Sequence, residues 1–447
     1  MLYENIAAIS TPLGAGGVAI IRISGESPLA IAEKMFAPTG KTEVKDFEPY
    51  RMYPGEIDAG SFRDFGLCVY FAAPKSYTGE HMVEFHCHGG VAIAEGILRR
   101  ALFFGCRPAA NGEFTKRAFL NGKLSLSSAE GLIDMINSES EGEVKAGYYL
   151  YREGLKKRVE KMQDALTYVL AQIDANIDFP EEDLEETASG AVKAALVSSV
   201  DELDGLLSTY RTGRTLKNGV KVAIVGKPNT GKSSLLNRLL DYEKAIVSPV
   251  AGTTRDVVEG TMTINGVRFW FSDTAGIRET ENEVESVGIA RAKRALVESD
   301  LVLFVLDASK PLDDADRVIF EEIKERKHLV IYNKSDLSGL VKLSGMDLFV
   351  SALTGKNVER LKELIYERAL GDGIDLNGDF LTEERHYNAL RQAREKLVAA
   401  KDGIGVVPLD LIAVDIRAGW EALGEISGKT ATEHIINEIF SRFCVGK

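Results

Sequence analysis

VKVAIVGKPNTGKSSLLNRLL, Val220 to Leu240, decides the fold of the segment around it. The run up to Val225 is apolar and β-branched, which predicts a buried strand. GKPNTGKSS (Gly226 to Ser234) fits the phosphate-loop pattern, and LLNRLL after it predicts a helix. Strand, glycine loop and helix in that order give the motif its meaning. Glycines let the backbone approach phosphate oxygens, so successive amides and a helix N-terminus cradle them. Lys232 is expected to reach the β- and γ-phosphates and Ser233 to ligate Mg²⁺, with Asn229, Thr230, Gly231 and Ser234 forming the rest of the loop's contact surface.

Outward from this loop the pattern repeats. RFWFSDT (Arg268 to Thr274), DLVLFVLDAS (Asp300 to Ser309) and HLVIYNKSD (His328 to Asp336) read as strands alternating with helical runs. That alternation predicts a parallel sheet with helices on both faces, an α/β domain over residues 215–373. NKSD (Asn333 to Asp336) ends a buried strand, where the Asp336 carboxylate can accept two hydrogen bonds from N1 and the exocyclic amine of guanine. Lys334 lies beside it, and SALTG (Ser351 to Gly355, with Ala352) follows as a further base-side element. Their order specifies GTP over ATP. DTAG supplies Asp273 behind Mg²⁺ and Gly276 for the γ-phosphate, with Thr274 and Ala275 between them. GTTRD (Gly252 to Asp256) offers Thr254 as the switch ligand to Mg²⁺. Where Ras-like proteins place a water-orienting Gln after this glycine, the chain has Ile277. Glu279, Glu281, Glu283 and Glu285 follow closely, and Arg255 and Arg278 are the candidate arginine fingers.

Two helical stretches flank the α/β segment. Leu155, Val159, Met162, Leu166, Val169 and Ile173 lie three or four residues apart, one face of a helix. Val192, Leu196, Val200, Leu203 and Leu207 repeat the pattern after the acidic break DFPEEDLEE (Asp178 to Glu186), where Pro180 prevents one continuous helix. Leu409, Ile412, Ile416, Trp420 and Leu423 continue it beyond the insert. We expect residues 120–214 and 374–447 to form one discontinuous all-α domain. Residues 1–119 mix strand-like runs, GGVAIIRISG and FGLCVYFAAP, with a helix from Val91 to Phe104, an α+β domain.

The 447 residues are too many for one core, and length alone suggests about two to four domains. The 45% hydrophobic and 27% charged fractions exclude a disordered or fibrous chain. Net charge is −13, and it is unevenly held. Residues 1–119 carry 12 basic and 13 acidic side chains, residues 215–373 carry 23 and 24, and the split helical region 19 and 30. Seven of its acids lie between Asp174 and Glu186, so a nucleic-acid polyanion spread over that face is excluded. Cys68, Cys87, Cys106 and Cys444 show no paired spacing, which points to a reducing, cytoplasmic compartment. No membrane or export segment is expected. HCH (His86 to His88) puts two imidazoles on one strand face without further ligands, so no metal is expected there. GAGGVA (Gly14 to Ala19) mimics a dinucleotide fingerprint but leads into a strand and reads as a turn.

A GTPase inserted in a helical domain, an α+β N-terminal domain, GTTRD and a terminal CVGK (Cys444 to Lys447) together resemble the MnmE (TrmE) family of tRNA-modification GTPases along the whole chain. The resemblance implies a homodimer through the N-terminal domain, with transient G-domain dimerisation across the nucleotide face. It implies an FAD-dependent partner of the MnmG (GidA) type, in a heterotetramer or larger, with FAD on the partner. It implies installation of an aminomethyl-type group on the wobble uridine of certain tRNAs. By position, Asn229 matches the family's potassium ligand, and Ser248, Val250 and Thr253 lie in the loop that completes that site. K⁺ would supply the charge an arginine finger gives elsewhere. Glu285 matches the water-orienting glutamate. The N-terminal domain resembles a tetrahydrofolate-binding module, which implies a 5,10-methylene- or 5-formyl-tetrahydrofolate donor. Arg22, Glu84, Lys123 and Lys447 hold the matching positions, and Cys444 matches a cysteine with an arguable catalytic role.

The phosphate loop by itself also permits a GTP-gated RNA- or ribosome-binding assembly factor, or a folate enzyme with a regulatory GTPase. CVGK and the folate-like positions favour the tRNA-modification reading. A basic RNA-binding domain would favour the assembly factor, and the sequence shows none.

Overall fold

The computed structural model describes residues 4–178, 185–241, 260–273, 295–337, 348–371 and 374–447. They form two compact units. One comprises Met1–Ile136, Gly147–Asp204 and Asn388–Lys447; the other comprises Asn137–Ala146 and Gly205–Tyr387.

In the first unit, seven strands build one sheet: β1 (Ile6–Ile9), β2 (Val18–Gly25), β3 (Phe36–Pro38), β4 (Met52–Asp58), β5 (Arg63–Phe71), β6 (His81–His88) and β7 (Arg107–Pro108). Their order is β3-β4-β5-β6-β2-β1-β7. Side chains alternate across the pleat. Ile21, Ile23, Val83 and Phe85 enter the core with Ile97 and Ala101 of the helix Val91–Phe103 and Ile31 and Met35 of the helix Pro28–Met35. Arg22 and Glu84, one residue out of phase, are left for the other face. They sit directly opposite each other in the β2–β6 register.

The helical part of this unit follows its apolar periods. Leu155, Val159, Met162, Leu166, Val169 and Ile173 are buried along the helix Gly154–Asp178. Ile412, Ile416 and Leu423 are buried on Leu409–Ser427, while Leu409 and Trp420 are half-buried. In the helix Glu185–Ser208 the stripe closes on Leu206, and Leu207 is only half-buried. The last step, three residues from Leu203 instead of the four read from sequence, turns the end of the stripe off the 3.6-residue period. Trp420 Nε1 donates to Thr167 Oγ1 at 3.1 Å, and Gln163 Nε2 to the Trp420 carbonyl at 3.0 Å, which fixes the register of the two long helices. Pro180 lies outside the described residues.

The second unit holds a six-stranded sheet of β8 (Val220–Val225), β9 (Gly260–Ile264), β10 (Val267–Asp273), β11 (Leu301–Asp307), β12 (His328–Asn333) and β13 (Leu348–Phe349). The order is β13-β12-β11-β8-β10-β9, with only β9 antiparallel to its neighbour. Both faces are covered, so the central strands β8 and β11 are apolar except at Lys221 and Asp307. Leu301, Leu303 and Val305 enter one core with Ile224, Leu235 and Leu239. Val302, Phe304 and Leu306 enter a second with Val225 and Ile323. Each such side chain contributes about 1.5–3 kcal/mol when fully buried.

Candidate active site

The phosphate loop grows from the end of β8, the central strand, and the helix Lys232–Asp241 begins as it closes. Two glycines are required by space. A Cβ on Gly226 would lie 2.2 Å from the Val305 carbonyl oxygen, and one on Gly231 would lie 2.3 Å from Asn333 Nδ2. Asn229 stands at the crown with a left-handed φ of 65°, which Asn tolerates better than most residues. Lys232 is buried, and its ammonium donates to the carbonyls of Gly226 and Lys227, each at 2.8 Å. Ser233 and Ser234 lie exposed at the first helical turn. Backbone amides, a helix N-terminus and an ammonium thus converge on one cradle suited to a polyphosphate. β10 runs parallel to β8 and ends at Asp273, in register with Ile224, so DTAG starts beside the cradle.

The base-side motifs meet at the ends of β12 and β13. Asn333 is buried, donates from Nδ2 to the Thr230 carbonyl at 2.9 Å, and accepts from the Ala352 amide at 3.0 Å. It therefore ties the phosphate loop to the Ser351–Gly355 loop. Ser351 Oγ donates to Asp336 Oδ1, orienting that carboxylate. Lys334, with a φ of 66°, donates to Asp307 Oδ2 at 2.7 Å. Burial opposes ionisation of Asp307, but hydrogen bonds from Lys334 and Ser309 outweigh it and hold the carboxyl below its usual range.

In the other unit, Arg22 Nε donates to Glu84 Oε1 at 2.8 Å, and His86 Nε2 lies 3.3 Å from Glu84 Oε2. The Arg22 guanidinium also lies 5.2 Å from the Tyr77 ring and 5.6 Å from the Phe114 ring, within cation–π range. Burial raises the cost of charging Glu84, yet the hydrogen bonds from His86 and Arg22 prevail and depress its pKa. The chain's C-terminus docks on the same domain. Val445 bridges to Asn111, Ser10 Oγ donates to the Gly446 carbonyl at 3.0 Å, and the Gly112 amide donates to the Cys444 carbonyl at 3.4 Å.

Residues 5–123 match the family model described as the GTP-binding protein TrmE N-terminus, and residues 126–444 match the MnmE helical domain. The tRNA modification GTPase MnmE of Streptococcus pneumoniae serotype 4 is 39% identical over 456 residues, covering 100% of this chain and 99% of that protein. Its counterpart from Lactobacillus helveticus is 37% identical over 458 residues, covering 100% and 98%. The chain belongs to the MnmE family of tRNA-modification GTPases. Among solved structures, Era from Aquifex aeolicus is 32% identical over 39% of this chain and 65% of its own, with a TM-score of 0.28.

As an MnmE-family member the chain is a GTP-hydrolysing enzyme of tRNA modification, and it takes GTP with Mg²⁺. The expected nucleotide residues on described backbone, Asn229 to Ser234, Asn333, Lys334, Asp336, Ser351 and Ala352, come together at one end of one sheet. Asp273 is described as the last residue of its strand. Ser248, Val250, Thr253, Thr254, Thr274, Ala275, Gly276, Arg278 and Glu285 lie outside the described residues. Of the folate positions in this MnmE-family chain, Arg22 and Glu84 pair directly. Lys123 instead donates to the Pro74 carbonyl at 3.1 Å, and Lys447 is half-buried at the docked C-terminus beside the exposed Cys444. Of the HCH imidazoles, His86 Nε2 faces Glu84 and His88 Nδ1 lies 2.7 Å from Asp64 Oδ1.

Sequence reading missed four supporting residues. Asp307 ends a strand two places before Ser309, and its pairing with Lys334 needed the sheet order to be seen. His86 follows Glu84 by two on a strand, so the period-2 rule was a usable signal. Lys227, held above the usual lysine range by Asp313 and Asp316, is a phosphate-loop cation already matched inside the domain. Arg238 carried no sequence signal at all.

Proposed function

We propose that this chain is a potassium-activated GTPase that acts with an FAD-dependent partner to install an aminomethyl or carboxymethylaminomethyl group at C5 of the wobble uridine in certain tRNAs. A tetrahydrofolate, 5,10-methylene or 5-formyl, supplies the one-carbon unit. The relatives' name, tRNA modification GTPase, gives the substrate class. The observation that carries the finer reading is the gathering of Arg22, Glu84 and the docked CVGK terminus on one domain, which gives a paired carboxylate, cations and an exposed thiol for a carboxylated heteroaromatic donor.

In the GTPase half, Asn229 is exposed, and its side-chain oxygen is a hard donor suited to K⁺. A monovalent cation there would supply positive charge beside the β- and γ-phosphates, where phosphoryl transfer accumulates negative charge. Ser233 would hold Mg²⁺, with Thr254 as its switch partner. Glu285 would orient water, and Ser248, Val250 and Thr253 would complete the K⁺ site across a transient G-domain dimer. Among the described residues no helix is long and apolar enough to cross a membrane.

Replacing Na⁺ by K⁺ is expected to raise GTP turnover strongly, and equal rates in the two salts would remove the potassium assignment. Mass spectrometry of tRNA from cells lacking the gene is expected to show loss of the modified wobble nucleoside. Unchanged nucleosides would favour a GTP-gated assembly factor instead.

A further inference from the structure

We propose that Arg238 is a positioning residue for nucleotide binding, holding the base-side loop to the helix that springs from the phosphate loop. The helix Lys232–Asp241 carries Lys232 in its first turn and the half-buried Arg238 six residues later. Arg238 Nε donates to the Ala352 carbonyl at 2.9 Å, and Nη2 donates to the Leu353 carbonyl at 2.5 Å. Two consecutive carbonyls on one guanidinium edge is a forked geometry that a lysine ammonium does not reproduce. The Ala352 amide donates in turn to Asn333 Oδ1, and Asn333 Nδ2 donates to the Thr230 carbonyl. A closed circuit results, from the phosphate loop through Asn333 to the base-side loop, and back through Arg238 to the helix.

Ser351 and Ala352 are buried, but the Leu353 side chain is 75% exposed, so at Leu353 the bond to Arg238 rather than apolar packing holds the loop. With both links in place, the loop that orients Asp336 through Ser351 cannot swing away without pulling on the helix that carries Lys232. Arg238 thereby makes the two ends of the nucleotide site one rigid body and slows release of the bound nucleotide. This rests on reading Asp336 and the Ser351–Gly355 loop as the guanine end of the site.

The test measures release of a fluorescent GDP analogue from the full-length chain carrying Arg238→Ala, Arg238→Gln or Arg238→Lys. Arg238→Ala is expected to speed release about tenfold, with Lys and Gln intermediate because one donor remains. Competition by inorganic tripolyphosphate is expected to stay within about twofold of the unaltered chain, since it does not depend on the base. Unchanged GDP release overturns the proposal. So does a parallel loss of tripolyphosphate binding, which would mean that the phosphate loop itself had been disturbed. The Gln and Lys variants keep the test open where Ala lowers the melting temperature. Asp336→Asn with unaltered GDP affinity would overturn the guanine reading alone, leaving any effect of Arg238 on release intact.

Discussion

Single side chains set the chemistry of both sites through their immediate partners. Asp336 is acceptor-only when ionised and already receives Ser351 Oγ on one oxygen. Charge-assisted hydrogen bonds contribute about 1.5–3 kcal/mol each. Asp336→Asn is therefore expected to weaken GDP binding by roughly a hundredfold or more, and to shift preference toward xanthosine diphosphate, which presents a carbonyl where guanine has its amine. Titration with fluorescent nucleotides measures both. Glu84 is the counterpart in the N-terminal domain. Its folded pKa lies below the ordinary 4.5, so its ionised form contributes stability that is fully present above that value and is lost as pH falls through the folded pKa. Glu84→Gln should cost about 1–3 kcal/mol near neutral pH, and denaturant melts should show the gap closing in acid below 4.5. A pH-independent gap would mean that packing, not the ion pair with Arg22, makes the difference.

At the scale of elements, most periods in the sequence became the expected strands and helices because burial enforces them. β8, β10, β11 and β12 form where the apolar runs stand. Shifts occur where tertiary contacts override local spacing, as at Leu206 against Leu207. The docked terminus has no periodic signal. Gly446 has a φ of 97°, and a Cβ there would lie 2.2 Å from the Ile9 carbonyl oxygen. Gly446→Ala is thus expected to undock Cys444–Lys447 at a cost of about 1–3 kcal/mol. Hydrogen exchange at the Gly112 amide, which donates to Cys444, should rise in the variant, and unaltered protection there would show that the backbone accommodates the methyl group.

The whole chain divides into two compact units with separate cores, and this division predicts its thermal behaviour. A ligand stabilises the unit it binds, by about 2.7 kcal/mol at a hundred times its Kd. Saturating GDP should therefore raise one of two calorimetric transitions by about 5–10 °C and leave the other in place; equal shifts in both would show that the units unfold together. The net charge of −13 has an address as well, since the helical region holds 19 basic against 30 acidic residues. Ion pairs such as Arg417 to Asp174, at 2.9 Å, offset part of it locally, and an acidic face of this kind disfavours a nucleic-acid polyanion laid over it. The amino-acid sequence by itself determined the GTPase core, the two helical stretches and the family, because a phosphate loop, a guanine-reading tetrapeptide and a 3.6-residue period are each written in consecutive residues. Only the tertiary structure decided the pairing of Arg22 with Glu84, the seating of CVGK against Ile9 and Asn111, and the hold of Arg238 on Ala352 and Leu353. Those contacts join residues from 62 to over 430 positions apart, and a distance along the chain carries no trace of which groups folding will bring within reach of a hydrogen bond.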